Sequence, residues 1–124
     1  MRARSRFRRL KDDLFPTPWS LDEFHWSSDG SRFTFLYNER GHQLQRVLGV
    51  DAVSGEVRTL VEERSATFID YSQKTSLHWL DATNELIWAS ERDGWNHLWL
   101  YDSRTGEVKR QITRGEWLIG RAHV

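Results

Sequence analysis

Residues 77–108, LHWLDATNELIWASERDGWNHLWLYDSRTGEV, restate residues 24–57, FHWSSDGSRFTFLYNERGHQLQRVLGVDAVSGEV. The matches keep their order. Phe24-His25-Trp26 answers Leu77-His78-Trp79, and Phe33-Thr34-Phe35 answers Leu86-Ile87-Trp88, both at an offset of 53 residues. Glu39-Arg40 answers Glu91-Arg92 at 52, and Ser54-Gly55-Glu56-Val57 answers Thr105-Gly106-Glu107-Val108 at 51. One small deletion accounts for the drift. The chain is therefore built on a repeat of about 52 residues, a length at which each repeat is one supersecondary unit that needs its neighbours for cover.

Within a unit, short strands alternate with turn chemistry. Asp29-Gly30 is a hairpin signal, because glycine and aspartate tolerate the positive φ of tight turns. Arg32 to Asn38 then reads as a strand of aromatic and β-branched residues, Gly41 marks a turn, and Leu44 to Asp51 follows with Leu44, Leu48 and Val50 on one parity. Ser54-Gly55 turns the chain into Val57 to Val61. The second unit repeats the series with Glu85 to Ala89, Asp93-Gly94, His97 to Asp102, Thr105-Gly106 and Val108 to Thr113. No segment carries a helical apolar period.

The strand centres Leu86-Ile87-Trp88-Ala89 and Leu98-Trp99-Leu100-Tyr101 are apolar on both parities. A sheet with one wet face alternates instead, so these sheets want cover on both sides. Repeated four-stranded sheets stacked blade on blade supply it. The expected fold is all-β: a partial β-propeller of about two four-stranded antiparallel blades plus the start of a third. A β-sandwich is the competitor, but it does not predict the repeat. The expected divisions are a basic, poorly ordered arm over 1–20, a blade over 21–64, an inter-blade loop over 65–75, a second blade over 76–115, and the opening of the next over 116–124. Trp26 and Trp79 are expected at equivalent buried positions. A closed propeller needs at least about four blades. The chain is thus expected to be a segment of a longer protein whose remaining blades are its partners, and by itself to self-associate.

The 124 residues carry 18 basic and 18 acidic groups, unevenly spread. Arg2, Arg4, Arg6, Arg8, Arg9 and Lys11 precede every acid, which leaves the body acidic. Such an arm can grip nucleic acid or anionic lipid or stand as a solvated terminus; the solvated reading is adopted, with no nucleic acid as partner. There is no apolar run long enough for a membrane span, and no apolar stretch follows the arginines as in a secretory signal. The compartment stays open between cytoplasm and periplasm. With no cysteine, disulfides, thiolate catalysis and cysteine zinc sites are excluded.

The stretch from Ser90-Glu91-Arg92-Asp93-Gly94-Trp95-Asn96-His97 through Asp102, with Gln111-Ile112-Thr113-Arg114-Gly115-Glu116-Trp117, resembles the N-terminal propeller of dipeptidyl peptidase IV-type serine peptidases. So do Phe33 to Asn38 with Glu39-Arg40-Gly41-His42-Gln43, and Val50-Asp51-Ala52 with Ser54-Gly55. The resemblance covers about residues 22 to 120 and points to late blades. It implies a parent in which a separate α/β-hydrolase domain removes dipeptides from peptide N-termini while the propeller restricts access and contacts the peptide substrate. It also allows a homo-oligomeric parent. The alternative function is a non-catalytic propeller that binds a protein partner.

The resemblance places an aromatic and an arginine on a late-blade loop within Ala66 to Lys74. Tyr71 matches the aromatic, with Phe68 as its alternative; Ser72 stands where the family's example has arginine. Packing between blades is the plainer role for both rings. Glu62-Glu63 is a paired carboxylate, but it ends a strand and is not given the family's amine-binding role. Arg40 and Arg92 match across the repeat near strand ends. They can face a peptide carboxylate, or pair with Glu39 and Glu91. No serine sits in Gly-x-Ser-x-Gly, the turn that exposes a hydrolase nucleophile, so no catalytic residue is assigned to this chain. The five histidines are spread over separate repeats, so no metal ligand set is read, and no cofactor motif is present.

Overall fold

The computed structural model describes residues 10–72 and 74–119. Eight strands form two four-stranded antiparallel sheets, each in sequence order. The first holds β1 (Pro18–Trp26), β2 (Arg32–Glu39), β3 (Leu44–Asp51) and β4 (Val57–Arg64). The second holds β5 (Leu77–Leu80), β6 (Glu85–Ser90), β7 (His97–Asp102) and β8 (Val108–Gln111), with a 3₁₀ turn at Asp81–Thr83. This is the expected pair of blades. Among the described residues no helix is long and apolar enough to cross a membrane.

The turns show why the repeat folds as it does. In the first blade Asp51 Oδ1 accepts from the backbone N–H groups of Val53 and Ser54, and Ser54 Oγ accepts from Glu56 N–H. In the second, Asp102 Oδ1 accepts from Arg104 and Thr105, and Thr105 Oγ1 accepts from Glu107. The amides hold both carboxyls below the usual carboxylate range, since a carboxylate that accepts N–H bonds is favoured in its charged form. Gly55 and Gly106 complete the turns with φ of +74° and +79°.

The apolar residues divide by face. Leu36, Val47, Leu60 and Val61 of the first sheet pack against Leu86, Trp88 and Tyr101 of the second, with Leu77, Trp79 and Trp99 at the margin. The opposite face of the first sheet carries Phe35, Tyr37, Leu44, Leu48 and Val50, as the parity of β3 predicts. Leu10, Leu14 and Phe15 lie on that outer face, with the Phe15 and Phe35 rings edge to face at 5.4 Å and Arg46 Nη1 donating to the Leu14 carbonyl.

Two expectations change. The arm drawn over 1–20 ends sooner: residues 10–15 pack on the first blade, and β1 begins at Pro18, which pairs with Glu39. Residues 1–9, with most of the arginines, lie outside the described set, as do 120–124 of the expected next blade. Trp26 and Trp79 do occupy equivalent registers, opposite Phe33 and Leu86. Neither is fully buried, however: Trp79 is half-buried against the first sheet, while Trp26 is 59% exposed. Its side of the blade faces away from the second sheet, and no blade precedes it among the described residues.

Candidate functional site

The β2–β3 turn, the 65–75 connector and the β6–β7 turn share one end of the two blades. His42 takes a positive φ of +53°, and its N–H donates to the Glu39 carbonyl. The connector is laced to this turn. Ser65 N–H donates to the Gln43 carbonyl at 3.0 Å and Ile69 N–H to the His42 carbonyl at 2.6 Å. Gln43 Nε2 donates to the carbonyls of Ala66 and Thr67, both at 3.1 Å. Ile69 is buried and anchors the connector.

This lacing sets Phe68 and Tyr71 around the His42 ring. Tyr71 stacks on it at 4.3 Å between centroids, and Phe68 meets it edge on at 5.6 Å. Trp19, from the start of β1, approaches at 5.2 Å. Asn38 Oδ1 lies 3.2 Å from His42 Nδ1 and orients the imidazole. Trp19 and Phe68 keep 55% and 53% of their surface exposed. Exposed large rings held by a rigid support are uncommon on a surface that only needs solubility. Beside them a cleft of about 240 Å³ opens between the blades, lined by Gln45, Glu63, Asp70, Lys74, Glu91 and Asn96 among others.

Of the four residues singled out in the sequence, Tyr71 and Phe68 belong to this cluster, and Arg40 stands exposed in the turn that carries His42. Arg92 is not part of the cluster. Its guanidinium lies 4.3 Å above the Trp99 ring and 5.4 Å from that of Tyr101. Nε donates to Ser90 Oγ at 3.1 Å and Nη2 to Tyr101 Oη. Burial lowers its pKa, opposed by the negative charges of Glu63 and Asp93. The alternative ion pairs with Glu39 and Glu91 are not formed among the described residues. Glu39 accepts instead from Tyr37 Oη at 3.0 Å and Thr17 Oγ1 at 3.4 Å, and Glu91 pairs with Lys74 Nζ at 2.7 Å. Each repeat glutamate thus holds the segment that enters its own blade.

The paired carboxylates part company. Glu62 is held low in pKa by Arg46 and Arg64. Glu63 crosses to the second blade, where it accepts from Trp88 Nε1 at 3.3 Å, Ser90 Oγ at 3.0 Å and Glu91 N–H at 3.2 Å. Sequence reasoning missed Trp19, His42 and Glu63. For His42 the signal was present, since it follows Gly41 at a strand-joining turn, but its ring partners come from two other segments, the start of β1 and the connector. The histidines do not converge: His97 bonds to Thr113 Oγ1 and the Gly115 carbonyl, and His25 to Asp81. No group of metal-ligating side chains forms among the described residues.

Solved structures share this architecture. The β-propeller domain of the Trilobed protease from Pyrococcus furiosus, described as having an open velcro topology, superposes with a TM-score of 0.55 at 16% identity, over 77% of this chain and 29% of that one. A puromycin hydrolase mutant complexed with PGG gives 0.60 at 21% identity, over 88% of this chain and 16% of that one. Puromycin hydrolase in a further structure gives 0.56 at 18% identity, over 77% and 14%. The chain spans less than a third of each of these chains. Residues 4–123 match the family described as the dipeptidyl peptidase IV (DPP IV) N-terminal region. On the strength of that match, carried by two repeated four-stranded blades, the chain belongs to the dipeptidyl peptidase IV N-terminal region family.

Proposed function

We propose that these blades select and position a peptide for a separate α/β-hydrolase domain of a dipeptidyl peptidase IV-like serine exopeptidase. The observation that carries this reading is the ring cluster of Trp19, His42, Phe68 and Tyr71, held by the connector whose Ile69 and Asp70 line the inter-blade cleft. Phe68 and Tyr71 meet the peptide's apolar side chains, and Arg40, exposed in the turn that carries His42, meets negative charge. The bond-breaking residues lie in the hydrolase domain, so this chain supplies binding and orientation.

The test uses the polypeptide that carries the hydrolase domain with these blades. Its turnover of dipeptide substrates bearing proline or alanine before the scissile bond is compared in the parent and in a Phe68→Ala, Tyr71→Ala double variant. Loss of two aromatic contacts is expected to lower kcat/KM about tenfold, or about 1.4 kcal/mol, chiefly through KM. Unchanged kcat/KM refutes the assignment. Peptide binding lost in the variant, from a parent without hydrolase activity, moves the function to a non-catalytic binding module.

A further inference from the structure

The cleft between the two blades is polar, yet its charges already have partners. Glu63 accepts from three donors of the second blade. Lys74 and Glu91 hold each other at 2.7 Å, and Arg64 meets Glu62 at 3.0 Å. Asp70 accepts from Ser72 Oγ at 3.1 Å. An ion entering the cleft finds each of these charges compensated.

Two uncharged side chains that line the cleft are only half matched. Gln45, 1% exposed, pairs with Glu63 across β3 and β4 and so shares its side of the sheet. Its Oε1 accepts from Thr75 Oγ1 at 3.1 Å, while its Nε2 donates to nothing among the described residues. Asn96, 2% exposed, donates from Nδ2 to the carbonyls of Lys74 and Ile119, which fixes the direction of the amide. Its Oδ1 accepts from nothing among the described residues. The side-chain atoms both sealed and unpaired there are the indole nitrogens of Trp79 and Trp99. Gln45 Nε2 and Asn96 Oδ1 therefore keep access, and the cleft is where they open. Buried polar side chains with an unmet atom are uncommon and call for a partner.

One neutral donor and one neutral acceptor complement an amide main chain. A single ordered water needs roughly 15 Å³, whereas the cleft offers about 240 Å³. That is below the roughly 300–1,000 Å³ of a pocket for a whole small molecule and suits a short stretch of chain. The connector that carries Phe68 and Tyr71 also supplies Ile69, Asp70, Lys74 and Thr75 to the cleft wall. We infer that the cleft takes the main chain of the peptide, with Gln45 Nε2 donating to a carbonyl and Asn96 Oδ1 accepting from an N–H. This rests on the peptide-positioning role proposed above. It adds to the rings, which meet side chains, a pair of amides that hold peptides of any sequence.

The test uses the polypeptide that carries the hydrolase domain with these blades. Its hydrolysis of a chromogenic dipeptide amide is compared with that of an octapeptide sharing the same first two residues. Gln45→Glu keeps the oxygen that Thr75 bonds and removes the donor; Gln45→Met removes both without adding charge. Each is expected to raise KM for the octapeptide about tenfold, with kcat unchanged and the dipeptide amide unaffected. A merely structural Gln45 lowers turnover of both substrates together, and circular dichroism and melting report whether either variant has lost its fold. Octapeptide KM unchanged in a folded variant, or an equal loss on both substrates, overturns the inference and leaves the cleft to water. If the Phe68→Ala, Tyr71→Ala variant still loses kcat/KM, the peptide-positioning role stands without the cleft. If that variant is unchanged as well, the role itself fails.

Discussion

Gly55 and Gly106 occupy the same place in the two blades, and substituting each by alanine separates the cost of a turn from the cost of a blade contact. Both residues stand at positive φ, +74° and +79°, where an L-side chain costs about 1–2 kcal/mol, offset by about 0.4–1 kcal/mol from the narrower unfolded ensemble. Their surroundings differ. A Cβ on Gly55 meets only the Leu10 Cδ2 methyl, at 3.4 Å. A Cβ on Gly106 falls 2.5 Å from the Leu60 carbonyl oxygen and 2.9 Å from Leu60 Cα. These are backbone atoms of β4 in the other blade, well inside the roughly 3.5–4.0 Å of a comfortable contact. Backbone cannot rotate away as a side-chain end can, so the turn or the blade pairing must shift, at about 1–3 kcal/mol for overpacking. Gly55→Ala is therefore expected to destabilise by about 1 kcal/mol and Gly106→Ala by about 2–4 kcal/mol. Urea unfolding followed by tryptophan fluorescence measures both. The protein concentration is held fixed, because association shifts apparent stability. Equal destabilisation by the two variants refutes the close approach of the β7–β8 turn to Leu60.

Two further outcomes follow from the polar groups. Glu63→Ala strips an acceptor from three donors on the second blade and is expected to cost about 1–3 kcal/mol, read by urea unfolding together with a shift of the Trp88 indole N–H resonance; no change in either places Glu63 in solvent. Asp29, with hydrogen bonds from Ser31 and Ser27, has its pKa lowered from 3.8 to about 2. A carboxyl depressed in the folded state contributes stability above its unfolded value, and that contribution is lost as pH falls through the folded one. The Asp29 contribution is thus expected to fade between about pH 4 and pH 2, and a carboxyl resonance titrating near 3.8 contradicts the turn geometry.

What was legible in the sequence was whatever the repeat encodes locally. The turn pairs Asp51-Gly55 and Asp102-Gly106 can be read because each carboxylate caps amides two and three residues on. The parity of Leu44, Leu48 and Val50 can be read because a strand alternates. What was not legible depends on contacts between segments. The start of β1 at Pro18 rests on pairing with Glu39 and on Arg40 N–H donating to the Thr17 carbonyl, and nothing in Pro18-Trp19 announces either. The ring cluster draws on residues 19, 42, 68 and 71, three chain segments with no common motif. Burial of a blade face belongs to its neighbour as much as to itself. Trp26 and Trp79 therefore share a register and differ in exposure.

The two Glu-Arg pairs show where repeat reasoning stops and packing decides. By the offset that matches Asp51 to Asp102, Trp99 and Tyr101 correspond to Leu48 and Val50. Arg92 finds two aromatic faces beneath its guanidinium, an attraction that strengthens as water is excluded. It also has the Glu63 charge nearby to offset burial. Arg40 has aliphatic residues at the equivalent places and no ring of that kind to draw it inward. A guanidinium without such compensation keeps its hydration, and Arg40 is exposed in its turn. One repeated dipeptide thus yields a cation stacked on the rings of its own blade and another exposed in the turn that carries His42. The choice between them was written in β3 and β7, not in the dipeptide itself.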